Sequence, residues 1–126
     1  MTIKRMSSGG EFEAKVGYCR AVVAGGFVYV SGCVGVDRAT GDVPDDVTQQ
    51  CRLALDIISD ALADAGSSFA KAVRVTYMLP DATDFEPCWP ILRAAFGENP
   101  PVATMIECGL IDRKYRIEIE VTALAG

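Results

Sequence analysis

Between Tyr115 and Ala123 the chain alternates without interruption. Tyr115, Ile117, Ile119, Val121 and Ala123 are apolar or aromatic, and Arg116, Glu118, Glu120 and Thr122 fall between them. Side chains on a strand point to opposite faces in turn, so this stretch reads as a strand with one face buried. Another element must cover that face, and the sequence supplies one. Over Asp45–Ala65, residues Val47, Cys51, Leu55, Ile58 and Leu62 recur at spacings of four, four, three and four, which draws one apolar stripe along a long helix. Asp46 with Gln49 predicts an N-terminal capping pair, and Gly66 stands where a glycine just past the end stops a helix.

The remaining elements follow from turn residues and periodicity. Thr2–Met6 reads as a short first strand, and Ser7–Gly10 as a loop. Ala21–Ala24 and Phe27–Val30 flank Gly25-Gly26, a strong hairpin signal. Asp37–Gly41 is a turn-rich loop that ends near Val43-Pro44. Val73–Leu79 alternates as a strand and stops at Pro80-Asp81. A second helix is expected from Thr83, with Glu86 as its capping partner and Phe85, Trp89, Leu92 and Phe96 as its buried stripe. Pro90 removes a backbone donor and should bend or delay that helix, which ends at Gly97. Ala103–Cys108 is the next strand.

The order β-β-β-α-β-α-β-β predicts an α+β fold, a two-layer sandwich with a six-stranded mixed sheet and two helices on one face. At 126 residues, with no repeat or linker, residues 1–126 are expected to form a single domain. The sheet's second face carries tyrosine and valine among its charges, so it is a candidate subunit interface.

Composition narrows the chemistry. The chain has no histidine, which removes imidazole bases, Ser-His triads, Cys-His dyads and most zinc sites. No metal site is expected, and acid–base work must come from Asp, Glu, Tyr, Cys or Lys. Twelve basic against seventeen acidic residues give a net charge of −5, which disfavours nucleic-acid and anionic-membrane partners. The cysteines Cys19, Cys33, Cys51, Cys88 and Cys108 are odd in number and show no C-x-x-C spacing. They read as reduced thiols, mostly in the core, of a cytoplasmic protein. Met1–Gly10 lacks the apolar stretch of a signal peptide, and no apolar run approaches a membrane span.

A set of short motifs resembles the reactive intermediate deaminase family (Rid, formerly YjgF). These are Gly17-Tyr18, Val30-Ser31-Gly32, Ala39-Thr40-Gly41 with Val43-Pro44, Val47 with Gln49-Gln50, Ala54-Leu55, Ala65-Gly66, Val73–Leu79, Asp84-Phe85, Phe96, and the closing Arg116-Ile117-Glu118-Ile119-Glu120-Val121. Each is weak alone; their order and spacing, from about residue 15 onward, carry the likeness. The resemblance implies a chorismate-mutase-like fold and a homotrimer, with a small-molecule cleft between neighbouring copies. It also implies hydrolysis of 2-imino or enamino acids to 2-keto acids and ammonia, with no metal or organic cofactor.

By the same resemblance, Tyr18 closes the cleft, Ser31 and Gly32 line it with backbone, and Glu118 orients the attacking water. The family's carboxylate-clamping arginine has no counterpart. Counting back from the Glu118 strand through Pro101-Val102-Ala103-Thr104, its position holds Ala103. Ala103, Thr104 and Met105 are expected to line the cleft, and Trp89 stands where the deaminases carry a small polar residue. A bidentate guanidinium–carboxylate contact supplies both affinity and orientation, so Ala103 predicts weak handling of the usual 2-imino acids.

Some of these residues have plain structural readings. Glu118 could be a solvated or interface-paired strand residue, Tyr18 a packing tyrosine, Trp89 a core residue of the helix stripe, and Cys33 an inert buried thiol. Arg20, Arg113 and Arg116 are the cations that could replace the clamp or simply face solvent. Three functions therefore compete: a small-molecule hydrolase using Glu118 and water, a non-catalytic metabolite-binding trimer, and, disfavoured by charge, a ribonuclease or translation inhibitor.

Overall fold

Two consecutive glycines with positive φ, Gly25 at 59° and Gly26 at 85°, turn β2 (Ala21–Ala24) back on β3 (Phe27–Val34). A tight hairpin turn of this hand needs that backbone at both central positions, which only glycine adopts freely. Ala24 then faces Phe27, and Ala21 faces Val30. The structure is a computed structural model that describes residues 2–126. Its other elements are β1 (Lys4–Met6), α1 (Glu11–Val16), α2 (Val47–Asp64), β4 (Ala72–Leu79), α3 (Trp89–Phe96), β5 (Val102–Glu107) and β6 (Glu118–Leu124).

The strands form one six-stranded sheet in the order β1-β2-β3-β6-β4-β5. Every neighbouring pair is antiparallel except β4–β5, which α3 connects as a parallel crossover, so the sheet is mixed as expected. Helix α2 packs across β3 and β6. Its stripe meets the strands' inner residues in one core, where Val28, Ile58, Leu62, Val75, Leu79, Ile117, Ile119 and Val121 are all buried. Full burial of each such side chain stabilises the fold by about 1.5–3 kcal/mol. The Asp46 carboxylate caps α2 by accepting from the Thr48 N–H at 2.8 Å. At the other end Gly66, with φ 77°, allows two closing bonds, Gly66 N–H to the Ala63 carbonyl and Ser67 N–H to the Leu62 carbonyl.

The structure departs from the sequence expectations in four places. Residues after the Ser7–Gly10 loop form a third helix, the six-residue α1, and the first strand is shorter, beginning at Lys4. The second helix does not start at Thr83. Two 3-10 turns, Ala82–Asp84 and Glu86–Cys88, precede α3, and the cap there is the Asp81 carboxylate accepting from the Thr83 N–H. Pro90 sits in the first turn of α3, where its missing donor is harmless, so it delays the helix rather than bending it. Because Trp89 opens the helix instead of lying along it, Trp89 is 50% exposed while Leu92 and Phe96 are buried.

The last strand starts at Glu118 rather than Tyr115, although Tyr115 and Ile117 are buried as the alternation requires. Gln50 explains the delay. Its fully buried amide donates to the Pro44 and Lys114 carbonyls at 2.7 and 2.9 Å, and its oxygen accepts from the Arg116 N–H at 2.8 Å. Residues 114–116 are therefore bonded to α2 instead of to a neighbouring strand. Gly35 packs so closely against the Gln50 backbone that no Cβ fits.

Candidate active site

The site begins with a flaw in the β3–β6 ladder. Val30 faces Val121 and Cys33 faces Ile119, so β3 carries one residue more than β6 over this interval, a β-bulge at Ser31-Gly32. Val30 and Cys33 both point into the core, and the extra residue lets Gly32 turn towards the face away from the helices. There it meets Glu118. A Cβ built on Gly32 would collide with the Glu118 carboxylate, so glycine is what allows this approach. Glu118 is half-buried and accepts no hydrogen bond among the described residues. Burial and the neighbouring Glu120 raise its pKa above the usual carboxylate value, with Arg20 acting in the opposite direction. A carboxyl group poised this way can exchange a proton with a bound water or substrate.

Arg20 adjoins the same bulge, its carbonyl accepting from the Ser31 N–H at 2.9 Å. Its Nη1 donates to Ser31 Oγ at 3.1 Å, to the Gly32 carbonyl at 3.4 Å and to Cys33 Sγ at 3.0 Å. Cys33 is 1% exposed and its thiol donates to the Ser31 carbonyl. Burial, only partly offset by Arg20, pushes its pKa up to about 11, so it is a packed thiol and not a nucleophile at neutral pH.

A residue that the sequence reading did not single out holds this corner together. Glu13, in α1, is 3% exposed. Its carboxylate accepts from the Ser8 hydroxyl and from the backbone N–H groups of Ser8, Gly10 and Arg20, the last at 2.9 Å. Burial alone would raise its pKa; these four donors outweigh that and hold it at about 2. The Glu13 carbonyl also accepts from the N–H groups of Gly17 and Tyr18. Glu13 thus fixes both ends of the segment that carries Tyr18, which is 37% exposed, and Arg20. Sequence alone offered one clue, a glutamate three residues after Gly10, the reach-back half of a capping box.

The other expected site residues divide between the two faces. Thr104 pairs with Thr76, which pairs with Glu120, so Thr104 shares the open face with Glu118. Ala103 and Met105 pair with Val75 and Tyr77 and so lie on the helix-facing side. Trp89 is on that side too, edge-on to Phe85, which packs on Tyr77. Strand β4 separates β5 from β6, so about 10 Å of sheet divides Ala103 and Met105 from Glu118 even before the change of face. Within one chain, Arg20, Ser31, Gly32 and Glu118 meet at the bulge, and Tyr18 lies on the segment that carries Arg20; Ala103, Met105 and Trp89 are on the helix side of the sheet.

The two remaining arginines are committed differently. Arg116 grips Asp84 with two nitrogens, at 2.8 and 3.1 Å, and spends its third on the Asp45 carbonyl. Arg113 lines a cleft of about 390 Å³ with Asp81, Asp84 and Asp112. Among the described residues no three histidine, cysteine or carboxylate side chains converge to hold a metal ion. Among the described residues no helix is long and apolar enough to cross a membrane.

Comparison with known proteins identifies the family. The chain is 32% identical over 126 residues to the 2-iminobutanoate/2-iminopropanoate deaminase of Rattus norvegicus, covering 98% of this chain and 92% of that protein. It is 34% identical over 110 residues to the RutC family protein UK114 of Drosophila melanogaster, covering 86% and 80%. Among solved structures it superimposes on Rv2704 of Mycobacterium tuberculosis, described as a member of the YjgF/YER057c/UK114 family, with a TM-score of 0.89 and 36% identity over 98% of this chain and 100% of that one. The sequence profile of the endoribonuclease L-PSP family spans residues 9–125. By that match and these relatives, the chain belongs to that family, the RidA/YjgF group.

Proposed function

We propose that the protein is a homotrimeric hydrolase of small imines or enamines, with Glu118 activating water in a cleft between copies. The observation that carries the reading is the half-buried Glu118 carboxyl, without a partner, held against Gly32 at a bulge. In its basic form Glu118 takes a proton from water as the oxygen adds to the C=N carbon and passes that proton to the imine nitrogen. The resulting carbinolamine breaks down when Glu118 takes the hydroxyl proton and delivers it to the amine nitrogen, so that the C–N bond breaks, ammonia leaves, the C=O bond forms and the carboxylate is restored. The sum is imine plus water to carbonyl compound plus ammonia. The names of the mammalian relatives make 2-iminobutanoate and 2-iminopropanoate the first substrates to try.

Assembly is supported by what one chain leaves open. The sheet face bearing Glu118 also carries Tyr29 and Ile106, both exposed, with no helix over them. The second group of expected cleft residues, Ala103, Met105 and Trp89, can approach a Glu118 only on a neighbouring copy. Light scattering should give three times the 13.4 kDa chain mass. Freshly generated 2-iminobutanoate should release 2-oxobutanoate faster than its spontaneous hydrolysis, and Glu118→Gln should lower that rate at least about 100-fold. Release by the variant equal to wild type would end the reading. A second reading, ligand binding without turnover, draws on Ala103 and the exposed Trp89, which make that wall less ionic; binding of uncharged aromatic compounds with no hydrolysis would favour it. RNA is the poorest fit, because a net charge of −5 repels phosphates.

A further inference from the structure

We infer that Arg20 is the anion anchor of the Glu118 site. The inference rests on the hydrolytic site proposed above and names the residue that would hold an anionic group of the ligand there. Its basis is an unbalanced charge. Lys15, Arg38 and Arg116 each pair with a carboxylate in the same chain. Arg20 makes no ion pair among the described residues, although it is largely buried. Its contacts are a hydroxyl, a carbonyl and a thiol, all made through Nη1; Nε is buried with no acceptor, and Nη2, which makes no hydrogen bond among the described residues and is not buried, is the donor a ligand can reach. A guanidinium has five N–H donors in a planar fork, a geometry that matches a carboxylate. Removing it from water against weak neutral acceptors is unfavourable unless an anion completes it.

Placement supports the same assignment. Arg20 and Glu118 approach the Ser31-Gly32 bulge from two sides, close enough to sense each other's charge yet beyond ion-pair distance. A small ligand set over Gly32 would meet a cation at one end and the carboxyl group at the other. Of the three arginines free by sequence to act as a clamp, Arg116 is consumed by Asp84 and Asp45, and Arg113 lies among aspartates. Neither touches the bulge. The cation at this site therefore comes from the N-terminal segment, pinned by Glu13, and not from β5, where Ala103 stands.

The test separates recognition from turnover. Pyruvate and pyruvamide have nearly the same shape and differ in charge. Calorimetric titration of the wild-type protein should show pyruvate binding at least tenfold more tightly than pyruvamide, with the preference shrinking as sodium chloride is raised. Arg20→Gln should bring the two within twofold. Arg20→Lys, which keeps the charge and loses the fork, should fall between and covers the case in which the glutamine variant does not fold. Equal affinities in the wild type, or a preference that survives in Arg20→Gln with its melting temperature unchanged, would overturn the assignment. Glu118→Gln should abolish hydrolysis of 2-iminobutanoate and keep the pyruvate preference. A carboxylate preference in a protein that hydrolyses nothing would thus remove the proposed reaction and leave the Arg20 assignment standing.

Discussion

Replacing Glu13 by glutamine tests how the N-terminal corner is held. The Glu13 carboxylate faces four donors, Ser8 N–H and O–H, Gly10 N–H and Arg20 N–H, and is 3% exposed. Its pKa falls from 4.5 to about 2 in the fold. At about 1.4 kcal/mol per pH unit, that difference sets an upper bound of about 3.5 kcal/mol on its contribution to stability. The sign is fixed by linkage. A carboxyl whose folded pKa is lowered contributes fully above its unfolded value, and the contribution drains away as pH falls from about 4.5 towards about 2. Glutamine keeps one acceptor and turns an NH2 group onto donors, so Glu13→Gln should lose about 2–3 kcal/mol at pH 7. Urea unfolding at fixed protein concentration, at pH 7 and again near pH 2.5, measures this. The wild type should be much less stable at the lower pH, and the gap to the variant should close there. A variant as stable as wild type at pH 7, or a gap that is the same at both pH values, would refute the reasoning.

Two further predictions concern the bulge. Gly32→Ala places a Cβ against the Glu118 carboxylate, which is the end of a flexible side chain and can swing aside. The melting temperature should change little, while turnover should fall by about 100-fold because the carboxyl has left its position. Cys33, with its thiol at about pKa 11 and 1% exposed, should resist iodoacetamide at pH 8 in the native protein, whereas the partly exposed Cys19 and Cys108 react; mass spectrometry after brief labelling distinguishes them.

What could be read from the sequence was whatever depends on periodicity. The α2 stripe, the Gly25-Gly26 hairpin and the alternation through Ile117, Ile119 and Val121 each follow from one element meeting one core. Helix α1 escaped because it has no buried stripe: Phe12 and Val16 are exposed, and its single buried side chain is the charged Glu13. Four donors from three residues, Ser8, Gly10 and Arg20, decide that burial, and the spacing of Glu13 from Gly10 is their one local trace. Trp89 was placed in a stripe because its spacing from Phe85 and Leu92 fits a helix; the two 3-10 turns shift the helix start and turn it outward. The partition of the candidate site is likewise topological. Counting residues from Ala103 to Glu118 says nothing about which face of which strand each occupies, and only the order β6-β4-β5 separates them.

Strand β5 closes the sheet on one side, and its outer row of peptide groups has no neighbouring strand among the described residues. Val102, Ala103, Thr104, Met105 and Ile106 offer no charge, proline or bulge to discourage a foreign strand; Glu107 comes only at the end. A border of this kind recruits whatever extended peptide it meets. Parting the copies of the proposed trimer by dilution or mutation should therefore yield sticky, poorly recoverable material instead of well-behaved single chains, and handling losses at low concentration would be an early sign of it.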